Sequence, residues 1–109
     1  MYHKFGVSKY PSTNITLEQF ESHLQEFSLS KYRVLSLEFI LDTIINDGQL
    51  PNNTIGISVD DADKSFLTTA WPKFKEKNLP VTLFVNTSTI ADNNKNYLNW
   101  DQIRQLKNE

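Results

Sequence analysis

The sequence contains no cysteine, which excludes disulfides, thiolate metal sites and cysteine nucleophiles while leaving the compartment open. Glycine and proline are scarce, at three and four residues, and no linker, low-complexity tract or internal repeat divides the chain. Neither sign of charge predominates. Eleven basic residues stand against 13 acidic ones, with no basic cluster, so the footprint of a nucleic-acid or anionic-membrane binder is missing. No apolar run approaches the roughly 20 residues of a membrane span. The opening Met1-Tyr2-His3-Lys4-Phe5 lacks the charged-then-apolar order of an export signal.

What is present is core-forming material: seven Phe, four Tyr and two Trp in 109 residues, with many Ile, Leu and Val. That suffices for one domain or a piece of one over residues 1–109. Asparagine is frequent, so the N-x-Ser/Thr matches at Asn14, Asn52 and Asn86 are read as a by-product of composition rather than as glycosylation sites.

Short β-rich runs alternate with helix-length amphipathic segments, an α/β pattern. Met1 to Phe5 is predicted as a strand, followed by a loop marked by Gly6, Pro11, Ser12 and Asn14. Thr16 and Gln19 form a capping box, and Leu17, Phe20, Leu24 and Phe27 share one helical face, with His23 beside it. Tyr32 to Leu35 reads as a short strand and Ser36 as an N-cap. Leu37, Ile40, Leu41, Ile44 and Ile45 form a second apolar face, expected to be buried and ended by Gly48. Thr54 to Val59 is β-branched and uncharged, as a strand inside a covered parallel sheet should be. Ser65 to Lys77 has helical spacing interrupted by Pro72, which must kink the helix or restart it. Val81 to Val85 supplies another strand, and Asn99 with Gln102 caps a last helix bearing Trp100, Ile103 and Leu106. About four parallel strands with right-handed crossovers follow, laid out as an arc of barrel or an open sheet. An edge left unpaired would favour self-association.

The sharpest chemical feature is Asp60-Asp61 at the carboxyl end of the Thr54 to Val59 strand, where parallel α/β folds place their sites. Two adjacent carboxylates repel, and a divalent metal is the commonest cation to relieve them. The competing reading is that Asp61 or Asp63 caps the following helix and Asp60 is merely exposed. His3 ends the first predicted strand and can face Asp60, as a residue lining the site or as a structural hydrogen-bonding group. His23 is a half-buried or solvated surface histidine. Trp71 and Trp100 are expected in the core.

Taken together, several segments resemble the polysaccharide deacetylases, the NodB homology domain. They are Tyr2-His3-Lys4-Phe5-Gly6, Tyr10-Pro11-Ser12-Thr13-Asn14, Leu17-Glu18-Gln19-Phe20-Glu21, and Tyr32-Arg33-Val34-Leu35. Ser58-Val59-Asp60-Asp61 follows, where the family usually has Thr-Phe-Asp-Asp, and then Ala70-Trp71-Pro72, Pro80 to Val85, and Trp100-Asp101-Gln102-Ile103. The resemblance implies an incomplete (β/α) barrel of that type. It implies metal-dependent N-deacetylation of an N-acetylated carbohydrate: chitooligosaccharide, peptidoglycan or poly-N-acetylglucosamine. By position, Asp60 would be the general base and Asp61 a ligand of the metal, usually zinc. The family's two histidine ligands, in a His-Ser/Thr-x-x-His motif, and its later motifs lie beyond the last helix. Residues 1–109 are therefore expected to be the N-terminal part of the domain, inactive alone because one carboxylate cannot hold a catalytic zinc. Relatives in this family are often exported. Two other readings stand beside the enzyme: a degenerate half-domain that binds a sugar or a protein without turnover, and a phosphoacceptor receiver. The receiver fits badly, because its acidic pair follows the first strand.

Overall fold

In the computed structural model, which describes residues 1–109, the helices begin at the capping residues that the sequence marks. Thr16 Oγ1 accepts the Gln19 N–H at 3.3 Å while Gln19 Oε1 accepts the Thr16 N–H at 3.2 Å, starting α1 at Leu17–Phe27. Ser36 Oγ accepts the Phe39 N–H at 3.2 Å and starts α2, Leu37–Ile45. A π-helical turn, Phe66–Ala70, runs into α3, Trp71–Glu76. Pro72 lies at the first positions of α3, just after the Trp71 N–H makes the π-type bond to Phe66 O, so the helix type changes where the proline enters. A short α4, Thr87–Ala91, capped by Asn86, was not anticipated. The Asn99–Gln102 capping box starts α5, Trp100–Asn108.

Six short strands are present: β1 Lys4–Phe5, β2 Asn14–Ile15, β3 Arg33–Val34, β4 Thr54–Ile55, β5 Ser58–Asp60 and β6 Thr82–Phe84. All pair in parallel, as three ladders β1–β2, β3–β4 and β5–β6. A parallel bridge between Tyr2 and Val59 joins the first ladder to the third. The parallel α/β expectation holds, with six shorter strands in place of about four and no closed barrel among these ladders. Asn14, expected in a loop, opens β2. The predicted Thr54 to Val59 strand is broken at Gly56-Ile57, because its first half pairs with β3 and its second with β6. Gly56 allows the close approach of α2 there: a Cβ would lie 3.0 Å from Ile40 Cδ1.

The core is an aromatic cluster. Phe5, Phe20, Phe66 and Phe74 are buried with Tyr2, Leu24 and Val59. The Phe5 and Phe20 rings stand 4.8 Å apart edge to face, and Phe20 and Phe74 5.3 Å apart, an arrangement that adds about 0.5–1.5 kcal/mol per pair beyond area burial. Two burial expectations fail. The apolar face of α2 is not covered: Leu37 and Ile40 reach Gly56, but Leu41, Ile44 and Ile45 face solvent, Ile45 at 75% exposure. No element packs over it, and spacing alone says nothing about what lies opposite. Trp100 is likewise exposed at the start of α5, whereas Trp71 is half-buried against Phe66.

Few glycines are available for left-handed backbone, and Asn and Asp fill most of those positions. Asp47, Asn53, Asn78 and Asn93 have φ between 50° and 58°, the conformation these side chains tolerate best after glycine. At the end of α2 the Gly48 N–H donates to Thr43 O at 2.8 Å and the Asp47 N–H to Ile44 O at 3.2 Å, a Schellman ending. Gly48 follows the helix as predicted, but the left-handed residue is Asp47.

Candidate active site

Strand β5 carries the acidic pair to the surface. Val59 is fully buried, and Asp60 is held on both sides, paired with Phe84 of β6 and bonded through its N–H to Tyr2 O at 2.9 Å. The Tyr2 N–H returns a bond to Ser58 O at 2.8 Å. With Tyr2 turned into the core, the next residue faces the other way. His3 Nδ1 thus comes to 3.3 Å from Asp61 Oδ2 and His3 Nε2 to 4.0 Å from Asp60 Oδ2. One imidazole addresses both carboxylates.

Beyond β5 the backbone turns sharply, with Asp61 at φ 70° and Ala62 at φ 55°. Two successive left-handed non-glycine residues cost on the order of 1–3 kcal/mol each, a strain typical of functional turns. It is held by the Leu98 N–H donating to Ala62 O at 2.9 Å and by the Asp63–Tyr97 bridge. The capping alternative is decided by Asp63, whose Oδ1 accepts the Ser65 N–H at 2.9 Å and the Ser65 hydroxyl at 2.6 Å. Lys4 Nζ lies 3.7 Å from its other oxygen, and Ser65 Oγ accepts the Phe5 N–H at 3.0 Å. Asp63 is thereby engaged structurally, and Asp60 and Asp61 are left to His3. The Asp-x-Ser spacing was the local signal for this role.

The pair sits on an open ledge, its side chains 35% and 44% exposed, and lines neither the cavity beside Tyr2 and His23 nor the one beside β6 and α5. Nor do three His, Asp or Glu side chains come together to hold an ion, so these residues alone do not fit a catalytic metal, which takes about three protein ligands. His23 is exposed on α1, as expected, with Nδ1 2.7 Å from the Tyr2 hydroxyl. Burial pushes that hydroxyl up to about 12.

Residues 47–109, more than half of the chain, match the family profile described as polysaccharide deacetylase. The chain belongs to that family. Over 102 residues it is 28% identical to the poly-beta-1,6-N-acetyl-D-glucosamine N-deacetylase of Staphylococcus epidermidis, covering 93% of this chain and 35% of that protein. The Staphylococcus aureus enzyme of the same name is 26% identical over 94 residues, 86% of this chain and 32% of the relative. The fold agrees with that of a de-N-acetylase from Aggregatibacter actinomycetemcomitans, at a TM-score of 0.81 and 20% identity over 98% of this chain and 48% of that one. It agrees also with the Streptococcus pyogenes deacetylase PplD in complex with acetate, at 0.83 and 22% over 99% and 50%. The chain thus spans about a third of the curated relatives and half of the solved structures. Polysaccharide deacetylases are hydrolases and generally metal-dependent. No helix of this one is long and apolar enough to cross a membrane.

Proposed function

We propose that this chain is the N-terminal part of a metal-dependent N-deacetylase acting on N-acetylated sugar polymers, and that it supplies Asp60, Asp61 and His3 to the site. The observation that carries the reading is the placement of one imidazole within 4.0 Å of both carboxylates at the end of a parallel strand. Of the candidate substrates, poly-N-acetylglucosamine is favoured over chitooligosaccharide and peptidoglycan, because the relatives covering most of the chain are named for it.

In the proposed reaction, Asp60 accepts a proton from water as the water oxygen adds to the acetamide carbon. The protonated His3 imidazole gives a proton to the nitrogen as the C–N bond breaks, releasing a free amino sugar and acetic acid, which ionises to acetate, and the proton held by Asp60 then passes to His3. Asp61, the family's ligand position, would contribute one donor to a metal, zinc by family habit, whose other ligands come from a histidine pair outside residues 1–109. On its own donor set the 109-residue chain should be inactive. An unclosed sheet edge at β6 would also let isolated copies associate.

The test is acetate release from poly-β-1,6-N-acetylglucosamine by the whole protein that contains this chain, against the 109-residue chain with zinc supplied. Activity in the first alone supports the reading. Zinc-dependent turnover by the short chain would sink the divided site, and a whole protein that binds the polymer without releasing acetate would establish the non-catalytic module instead.

A further inference from the structure

Two groups that the reaction leaves unused meet behind the site: the Tyr2 hydroxyl and the His23 imidazole, 2.7 Å apart. Tyr2 ties the opening segment to β5, the aromatic core and α1. Its ring packs in the aromatic core, 5.3 Å from Phe5 and 5.9 Å from Phe20, and its hydroxyl reaches α1 through His23. Its backbone bonds β5 on both sides, from Tyr2 N–H to Ser58 O and from Asp60 N–H to Tyr2 O. His3 is the next residue, and Lys4–Phe5 then enters the β1–β2 ladder. The imidazole that faces Asp60 and Asp61 is therefore suspended between two anchored points, one of which is Tyr2.

We propose that Tyr2, and His23 through it, are positioning residues that hold the His3 imidazole against Asp60 and Asp61. This rests on the reading of the site given above, but the geometry it asserts is independent of turnover. Tyr2 and His23 line a cavity of about 310 Å³ together with Glu26, Phe27 and Ile55. Without His23 the hydroxyl would lack its one partner within the chain, and a half-buried hydroxyl seeking water would pull the ring and the bridge behind it.

The chain holds only two histidines, so its imidazole ¹⁵N resonances can be assigned with His3→Gln and His23→Gln. In His23→Ala, the Asp60 amide should exchange about fivefold faster, the loss appropriate to one hydrogen bond, and the His3 ring resonances should move toward those of free histidine at the same pH. Tyr2→Phe, which keeps the ring, should do the same. His23→Gln, whose amide oxygen can accept from the Tyr2 hydroxyl, should restore both readouts. The proposal is overturned if His23→Ala leaves the His3 resonances and Asp60 exchange unchanged, or if the glutamine does not rescue them. It is overturned too if Leu24 and Phe74 amides quicken equally, since that is a general loss of stability. None of these readouts depends on acetate release, so a whole protein that proved inactive would remove the deacetylase reading and leave the clamp standing.

Discussion

His3 Nδ1 and Asp61 Oδ2 lie 3.3 Å apart, although one residue lies between the Tyr2 bridge and β1 and the other begins the turn after β5. If the imidazole gives a proton to the leaving nitrogen, His3→Gln in the whole protein should lower kcat by roughly 10²- to 10⁴-fold with little change in KM. A fall of less than threefold would make the histidine structural.

The two aspartates should separate by assay. Asp60→Asn removes the base but keeps a neutral oxygen, so bound metal should be retained while turnover falls by at least about a hundredfold. Asp61→Asn weakens a metal donor, so metal content after dialysis should fall along with activity. Metal loss in the first variant and retention in the second would reverse the assignment.

The elements that were legible in the sequence have local signals. A capping box such as Thr16–Gln19 is a pair of hydrogen bonds within four residues, and so could be read before any fold was known. The acidic pair at a strand end was legible for the same reason. What failed was set by distant partners. Whether Thr54 to Val59 is one strand depends on β3 and β6, which claim different halves of it. Whether Ile44 and Ile45 are buried depends on a layer the spacing cannot show. Asp63 lay between the two cases: its bond to Ser65 is local, but the Phe5 contact that fixes Ser65 is not.

Alkaline stability should carry the mark of Tyr2. Burial pushes its hydroxyl up to about 12 in the folded chain, above the value of about 10 of an exposed tyrosine, so between those values the unfolded state has released a proton the folded state retains. Stability from this group is complete below pH 10 and is lost as pH rises toward 12. Denaturant midpoints should therefore fall across that window, less steeply in Tyr2→Phe. Parallel slopes in the two proteins would contradict the burial argument.

At the end of α2 the roles of Asp47 and Gly48 predict opposite effects. Asp47→Gly relieves a left-handed side chain at φ 54° and should raise stability by about 0.5 kcal/mol, net of the added freedom of the unfolded chain. Gly48→Ala places a Cβ 2.9 Å from Thr43 Cγ2 and 3.1 Å from Thr43 O. Thr43 cannot swing aside freely, because its hydroxyl donates to Phe39 O at 2.7 Å. That variant should lose about 1–3 kcal/mol by thermal or urea unfolding. Equal effects would mean that the helix end frays and neither contact is held.

Two apolar surfaces could drive association of isolated copies, and their chemistry differs. The α2 face offers side chains alone, with Ile45 at 75% exposure. Strand β6 pairs on one side only and so offers backbone donors and acceptors, beside an apolar cavity of about 350 Å³ lined by Phe66, Trp71, Val81, Leu83, Val85 and Ile103. A strand edge with apolar neighbours is the stronger template for pairing. Sedimentation velocity should therefore show association of the 109-residue chain that Phe84→Lys, a charge on that edge, reduces and Ile45→Lys does not. Both substitutions fall on exposed side chains, and each should change folding stability by less than about 0.5 kcal/mol. A wild-type chain that sediments as a monomer at all concentrations would show the edge to be protected, and rescue by Ile45→Lys alone would move the contact to α2.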